Sequence, residues 1–193
     1  MEPSDLLRHL TRCLEKRKIS YFITGSMASM AYGEPRLTND IDVVVDLRES
    51  EVSRFAACFP ENDFFFDVDA ARTAVQRKTQ FNIIHPASGL KIDVIVGKAN
   101  AFDENRFRRV RRLKPFEDTE ADFASPEDVI LKKMEFYREG RSDKHIRDIA
   151  GILKISGDAL DREYIDIWAA KLGLREIWRL IQKRVVAGET SNR

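Results

Sequence analysis

Two aspartates separated by one residue, Asp40 and Asp42, lie in the largely β-branched stretch DIDVVV. Successive side chains of a strand point to opposite faces, so both carboxylates share one face while Ile41, Val43 and Val45 share the other. Their Cα atoms would lie about 7 Å apart, and two-metal phosphoryl-transfer sites hold their metals roughly 3.5–4 Å apart. The pair therefore suits Mg²⁺, although Asp-x-Asp alone is also common at solvated strand edges.

A glycine and a serine precede this pair, with 13 residues between Ser26 and Asp40. Gly25 and Ser26 stand where a short apolar strand ends and a helix of small residues begins. Glycine lets the backbone approach a phosphate closely, and the start of a helix favours negative charge. A Gly-Ser turn is also an ordinary helix start, so it gains meaning only beside the acids.

A third acid, Asp93, interrupts the apolar strand LKIDVIV. A buried charge is costly unless it is paired or binds a metal. Asp93 is therefore a candidate metal ligand and a candidate general base for an attacking hydroxyl. Arg36 and Thr38, just upstream of the pair, are candidates for phosphate or substrate contact, or else solvated loop residues.

The segment from Ser125 onward is helical, and Lys133 falls within the apolar stripe of its first helix. Either its ammonium reaches solvent while its stem packs on the core, or it has a buried partner. His145, on the next helix, is more typical of a surface histidine than of a site residue.

Six cations crowd into nine residues of the chain between 106 and 114: Arg106, Arg108, Arg109, Arg111, Arg112 and Lys114. Such a cluster is typical of a solvated edge neutralised by the acids that follow, or else of a surface that binds an RNA backbone.

Taken together, Gly-Ser, the Asp-Ile-Asp triplet and a later strand aspartate resemble the nucleotidyltransferase (polymerase β-like) superfamily. Within it, RLTNDIDVVV and SPEDVILKKMEFYREGRSDKHIRDI look like AbiEii-type minimal nucleotidyltransferases, many of which are toxin–antitoxin components. This resemblance implies Mg²⁺, with Mn²⁺ as an alternative, held by Asp40, Asp42 and Asp93. It also implies nucleotide binding by Lys133 and Asp148, in addition to Gly25, Ser26, Arg36 and Thr38.

The elements that must position these residues follow from hydrophobic spacing. We expect a helix over 4–17 capped by Ser4, and an α+β layered core whose further elements cover 21–24, 26–31, 41–45, 50–58, 64–66, 69–78, 81–84 and 90–96. Helices are expected over 125–139, 143–155, 161–172 and 174–186, with a frayed tail, GETSNR. The expected fold is a mixed β-sheet flanked by helices over residues 1–124, followed by a helical bundle over 125–193.

The composition is that of an ordinary globular protein, and its overall charge does not indicate a partner. The 193 residues include 33 Lys and Arg against 32 Asp and Glu, a net charge of +1. Cys13 and Cys58 show no metal-ligand spacing, and we expect two reduced thiols in a cytoplasmic protein. The first residues do not resemble a signal peptide, and no run approaches the roughly 18 apolar residues of a membrane span.

Three functions are consistent with these observations. The first is an enzyme that moves a nucleoside monophosphate from a triphosphate onto an acceptor hydroxyl of tRNA, protein or a small molecule. The toxin-like resemblance favours tRNA or protein, and with it a cognate antitoxin-like protein. The second is a binding module that holds a nucleotide or partner without turnover, against which the three retained acids argue. The third, a helical DNA-binding protein, is weaker because Trp168 and Trp178 indicate a core or protein interface.

Overall fold

The structure is a computed structural model and describes residues 1–186; the expected tail, 188–193, lies outside them. The helices are α1 Pro3–Lys16, α2 Gly25–Tyr32, α3 Val52–Ala56, α4 Val68–Arg77, α5 Ala101–Arg108, α6 Pro126–Gly140, α7 Asp143–Ser156, α8 Arg162–Lys171 and α9 Arg175–Val186. The strands are β1 Tyr21–Ile23, β2 Asp40–Val45, β3 Phe65–Phe66, β4 Gln80–His85, β5 Leu90–Val96, β6 Arg111–Phe116 and β7 Thr119–Phe123. Short 3-10 turns cover Glu49–Glu51 and Gly157–Ala159.

The seven strands form one mixed sheet in the order β3-β4-β5-β2-β1-β7-β6. The pairs β2–β5 and β1–β7 are parallel, and the other pairs are antiparallel. β2 and β5 are central. Apolar and polar side chains alternate in the first part of each strand, and β2 ends in three buried valines, Val43, Val44 and Val45. Helix α1 contacts β7 and β2, and α4 contacts β4. The predicted mixed sheet with flanking helices is confirmed.

Local sequence explains where the long helices begin. Helix α1 starts at Pro3 rather than at the predicted position 4, because Glu2 caps it and the backbone N–H of Glu2 donates to Asp5 Oδ2 at 3.1 Å. Proline suits the first turn, where its missing N–H is not needed. Helix α6 repeats this arrangement, with Ser125 as its cap and Pro126 as its first residue.

The chain divides into two compact units. The core unit comprises Met1–Met27 and Leu37–Ala124, and the helical unit comprises Ala28–Arg36 with the chain from Ser125 onward. The segment 28–36, which the sequence assigned to the first 124 residues, thus groups with the C-terminal helices. Its contacts explain why: Ser156 Oγ donates to the Tyr32 carbonyl at 2.7 Å, and Lys154 pairs with Glu34 at 2.9 Å.

Three elements of the core unit have no counterpart among the sequence predictions: α5, β6 and β7. Helix α5, AFDENRFR, contains four charged residues, of which Asp103 and Arg106 are buried, so its apolar periodicity is weak. Arg106 is buried because its guanidinium lies over the Phe22 ring at 4.7 Å and donates to Asp103 Oδ1 at 3.0 Å. An arginine at a buried position interrupts the apolar spacing from which the core-facing side of a helix is predicted.

Cys13 and Cys58 form a disulfide, with Cα atoms 6.1 Å apart and a sequence separation of 45 residues. The prediction of two reduced thiols is wrong. The two cysteines meet because α1 lies beside the turn after α3, where His9 Nε2 lies 2.7 Å from the Cys58 carbonyl oxygen. The His9 ring also stacks on Phe64. Spacing along the chain gave no sign of this proximity.

Within residues 1–186, none of the helices combines the length and the apolar character that crossing a bilayer requires.

Candidate active site

Asp42 of β2 and Asp93 of β5 are direct partners in the parallel pairing of these strands. Their buried neighbours, Ile41 and Val43 on β2 and Ile92 on β5, point into the core. The two acids therefore share the opposite, more accessible face with Asp40, as strand alternation predicts. Topology thus sets all three predicted carboxylates on one face of two adjacent strands.

Lys91 joins these acids, although the sequence analysis did not single it out. It is the register partner of Asp40, and its ammonium lies 2.9 Å from Asp93 Oδ2 and 3.8 Å from Asp40 Oδ1. The hydrogen bond to Asp93 raises the pKa of Lys91; partial burial opposes this rise, and the charges of Asp93, Asp40 and Asp42 add to it. The alternation that paired Asp40 with Asp42 also pairs Lys91 with Asp93, so the signal was present in LKIDVIV.

Asn82 of β4 is a second residue that the sequence did not reveal. It is the register partner of Asp93 on the other side of β5. With its amide nitrogen turned toward Asp93, Asn82 donates to Asp93 Oδ1 at 2.8 Å. Both carboxylate oxygens of Asp93 are therefore held, one by an amide and one by an ammonium.

Gly25 adopts a φ of +62°, and a Cβ atom placed on it would lie 1.9 Å from Asp42 Oδ2. Any larger residue would displace the carboxylate, and the left-handed backbone also favours glycine. The backbone N–H of Thr24 donates to the Asp42 carbonyl at 2.9 Å, which fixes the end of β1 beside β2. Gly25 therefore allows a helix start to approach Asp42 closely, and the neighbouring Ser26 is largely buried in the first turn of that helix.

The chemistry of these side chains fits a hard divalent cation. Asp40, Asp42 and Asp93 offer only carboxylate oxygens, the donors that Mg²⁺ and Mn²⁺ prefer. The Lys91 ammonium against two of them shows that the cluster attracts positive charge. As they stand, however, no three His, Cys, Asp or Glu side chains among residues 1–186 converge into a metal-holding group.

Thr38 lies on the approach to β2, where its hydroxyl donates to the Asp40 carbonyl at 3.3 Å. This contact steadies the start of the strand that carries the acids. Its predicted contact with phosphate stays a prediction.

The helical unit contains a second polar cluster. Lys133 is only 4% exposed, and its ammonium donates to Asp148 Oδ2 at 2.5 Å. Arg36 Nε lies 3.4 Å from the other oxygen of Asp148. The structure therefore brings together three of the residues predicted to bind nucleotide, and the lysine ammonium is buried rather than solvated.

A cleft of about 430 Å³ opens beside this cluster within the helical unit. Its lining includes Ser29, Glu34, Arg36, Lys144, Arg147 and Asp148. Three cations against two acids, one of them paired with Lys154, give the cleft a positive balance suited to an anionic group.

His145 is half-buried rather than on the surface as predicted. Its ring stacks on Phe136 with centroids 5.6 Å apart. Burial, followed by the charge of Lys133, lowers the pKa of His145 below its ordinary value of 6.5. Protonation of His145 is therefore less favourable than that of a solvated histidine.

The arginine-rich segment of the core unit is partly structural. Arg106 is buried, and Arg112 pairs with Glu15 at 2.7 Å, Asp122 at 3.2 Å and Glu120 at 3.6 Å. These partners neutralise much of the charge that an RNA-binding surface would need. Arg111 and Lys114 remain exposed.

No protein-family model matches the chain, and no curated protein sequence matches it. Several solved structures are similar in three dimensions. ANT(2'')-Ia in complex with adenylyl-2''-tobramycin is 14% identical with a TM-score of 0.58, covering 91% of this chain and 95% of that one. The lincosamide antibiotic adenylyltransferase LnuA, lincomycin-bound, is 13% identical with a TM-score of 0.55, covering 80% and 98%.

An antigenic nucleotidyltransferase-like protein from Paracoccidioides brasiliensis is 18% identical with a TM-score of 0.52, covering 78% of this chain and 74% of that one. At these identities the similarity establishes the fold. The chain has the nucleotidyltransferase fold, and that prediction is confirmed.

Proposed function

We propose that this chain is an enzyme that transfers a nucleoside monophosphate from a nucleoside triphosphate to an acceptor hydroxyl, using Mg²⁺ or alternatively Mn²⁺. The observation that carries the proposal is the register of β2 and β5, which sets Asp42 beside Asp93 on the face that Asp40 shares. Three acids on one face of two central strands are suited to phosphoryl transfer, because that chemistry depends on positioning and charge neutralisation.

In the proposed reaction, the acceptor oxygen bonds to the α-phosphorus while the bond from this phosphorus to the bridging α–β oxygen breaks. Pyrophosphate leaves, and the hydroxyl proton passes to a carboxylate, for which Asp93 is the candidate base. A metal bound by Asp40, Asp42 and Asp93 would supply charge neutralisation at the phosphate oxygens. Gly25 and Ser26 would present the start of α2 to the phosphates.

Residues of the helical unit are also proposed to bind the nucleotide, and contacts within that unit support this. Lys133 and Arg36 converge on Asp148, and Arg36 and Asp148 line a cleft with a positive balance. We assign phosphate binding to Lys133 and Arg36, oriented by Asp148, and we assign a phosphate contact to Thr38 in the core unit.

Two acceptor classes deserve direct comparison. The AbiEii-type resemblance of the sequence favours tRNA or protein, and with it a cytoplasmic toxin–antitoxin role and a cognate protein partner. The structural neighbours favour a hydroxyl of a small molecule, since one is complexed with adenylylated tobramycin and another is bound to lincomycin.

A second candidate function is nucleotide or partner binding without turnover. The observation that favours it is Lys91, which pairs with two of the three acids. An enzyme must move this ammonium, whereas a binding module need not.

Transfer of label separates these candidates. The protein is incubated with each of four α-³²P-labelled triphosphates, Mg²⁺ and either total RNA, cell lysate, tobramycin or lincomycin. The enzyme predicts labelled acceptor, and Asp42→Asn abolishes the label. If no acceptor is labelled with any nucleotide while nucleotide binding is intact, the binding module is correct.

A further inference from the structure

The fold places the Lys91 ammonium beside the carboxylates that would bind a metal ion. It precedes Asp93 by two residues on β5, so both side chains leave the same face of the strand. Its ammonium bonds Asp93 Oδ2 at 2.9 Å and lies 3.8 Å from Asp40 Oδ1. The ammonium thus bridges the two strands whose acids would hold the cation.

Two like charges cannot share this place without a large electrostatic cost. Repulsion between charges a few ångströms apart is strong wherever solvent screening is incomplete. The site is only partly open: the side chain of Asp93 is 18% exposed and that of Lys91 33% exposed, against 54% for Asp40. A divalent cation that binds the three acids therefore has to displace the ammonium from Asp93.

We propose that Lys91 is a positioning residue that acts as an internal counter-cation, holding Asp93 and Asp40 in place and competing with the divalent metal for them. This inference rests on the proposed function. The competition lowers affinity for the metal alone. A bound triphosphate offers the displaced ammonium another anionic partner, so it makes displacement less costly and couples metal binding to nucleotide binding.

The change in metal affinity on removing Lys91 has opposite signs for competition and for a purely structural role. If Lys91 only kept the strands in order, its removal would disturb the carboxylates and weaken metal binding. If it competes with the metal, its removal strengthens metal binding. Lys91→Met keeps an unbranched side chain and removes the charge, whereas Lys91→Arg keeps the charge.

Binding of Mn²⁺, followed by electron paramagnetic resonance of the free ion, is the test. We expect Lys91→Met to bind Mn²⁺ at least about fivefold more tightly than the natural chain, at the low end of coupling between interacting sites. We expect Lys91→Arg to match the natural chain. A matched control is Lys98→Met, because Lys98 is exposed just beyond the end of the same strand.

The same titration is repeated with an ATP analogue whose α–β bridge is methylene, which cannot react. There the difference between Lys91→Met and the natural chain shrinks. Near-ultraviolet circular dichroism checks folding, and Lys91→Gln replaces Lys91→Met if the latter does not fold.

Equal or weaker Mn²⁺ binding by the neutral variants overturns the inference. If Asp42→Asn abolishes Mn²⁺ binding while Lys91→Met leaves it unchanged, only the role of Lys91 is lost. If the natural chain binds no Mn²⁺ even with the nucleotide analogue, the proposed function itself fails, and this inference fails with it.

Discussion

Gly25 and Asp42 approach so closely that a single added carbon on Gly25 would lie 1.9 Å from the Asp42 carboxylate. The start of a helix therefore borders the acid at the centre of the candidate site. This contact depends on the absence of a side chain and on a φ of +62°.

Gly25→Ala should reduce transfer activity far more than strain in the backbone alone would. The left-handed conformation costs about 1 kcal/mol for alanine, and the clash additionally displaces Asp42. Label transfer should fall by about 100-fold or more. Gly89→Ala is the matched control, since Gly89 has a φ of +69° with nothing within 4 Å of the added carbon. Equal activity in the two variants would contradict the assignment of Gly25.

Reduction of the Cys13–Cys58 disulfide should destabilise the fold. Closing a loop over a separation of 45 residues restricts the unfolded chain, a stabilisation of about 4 kcal/mol for this loop length. Urea denaturation with and without a phosphine reductant measures the difference, and the double variant Cys13→Ser/Cys58→Ser should be insensitive to reductant. An unchanged midpoint in the natural chain, when thiol counting shows that the reductant releases two thiols, would show that the bridge does not stabilise the fold.

Asp148→Asn should destabilise the chain more than Lys133→Met. Removing Lys133 leaves Asp148 with its contact to Arg36 at 3.4 Å, whereas neutralising Asp148 removes the carboxylate that both cations share. Breaking a buried ion pair lowers the free energy of unfolding by about 3–5 kcal/mol. Chemical denaturation of both single variants and of Lys133→Met/Asp148→Asn gives the coupling energy. A coupling of zero would mean that the pair contributes nothing to the helical unit.

Stability should fall as the pH drops below 6.5 because of His145. Burial and the nearby Lys133 charge lower its pKa in the folded chain, so between the folded and unfolded pKa values the unfolded state binds more protons. The free energy of unfolding then decreases with falling pH, by up to about 1.4 kcal/mol per unit of pKa difference. Denaturation at pH 7.5 and pH 5.5 should show a smaller loss for His145→Gln than for the natural chain. A loss of the same size in both proteins would exclude this histidine as the cause.

The sequence predicted the parts of the fold that carry strong periodicity. The strands of Asp40–Val45 and Leu90–Val96 follow from β-branched runs, and the helices from Pro126 onward follow from caps and apolar spacing. It failed at α5, β6 and β7, where a buried arginine and a proline-containing edge strand hide the pattern. It also failed at the disulfide, because proximity between distant segments is a property of packing.

The site shows the same division. Strand alternation placed Asp40 and Asp42 on one face, and their relation to Asp93 followed once the parallel register of β2 and β5 was known. Asn82 comes from a strand that pairs with β5 on its other side, so it needed sheet order as well as pattern. Lys91 could have been found from alternation alone, because it precedes Asp93 by two residues, as Asp40 precedes Asp42.

Nucleotidyl transfer by these carboxylates is tested by comparing Asp42→Asn with Asp46→Asn, because Asp46 is an exposed acid just past the end of the same strand. Both are assayed for Mg²⁺-dependent transfer of ³²P from α-labelled triphosphate to RNA, protein or antibiotic acceptors. We expect labelled acceptor with the natural chain and with Asp46→Asn, and a loss of about 100-fold or more with Asp42→Asn. Transfer that survives Asp42→Asn at an undiminished rate would contradict this role of the carboxylates.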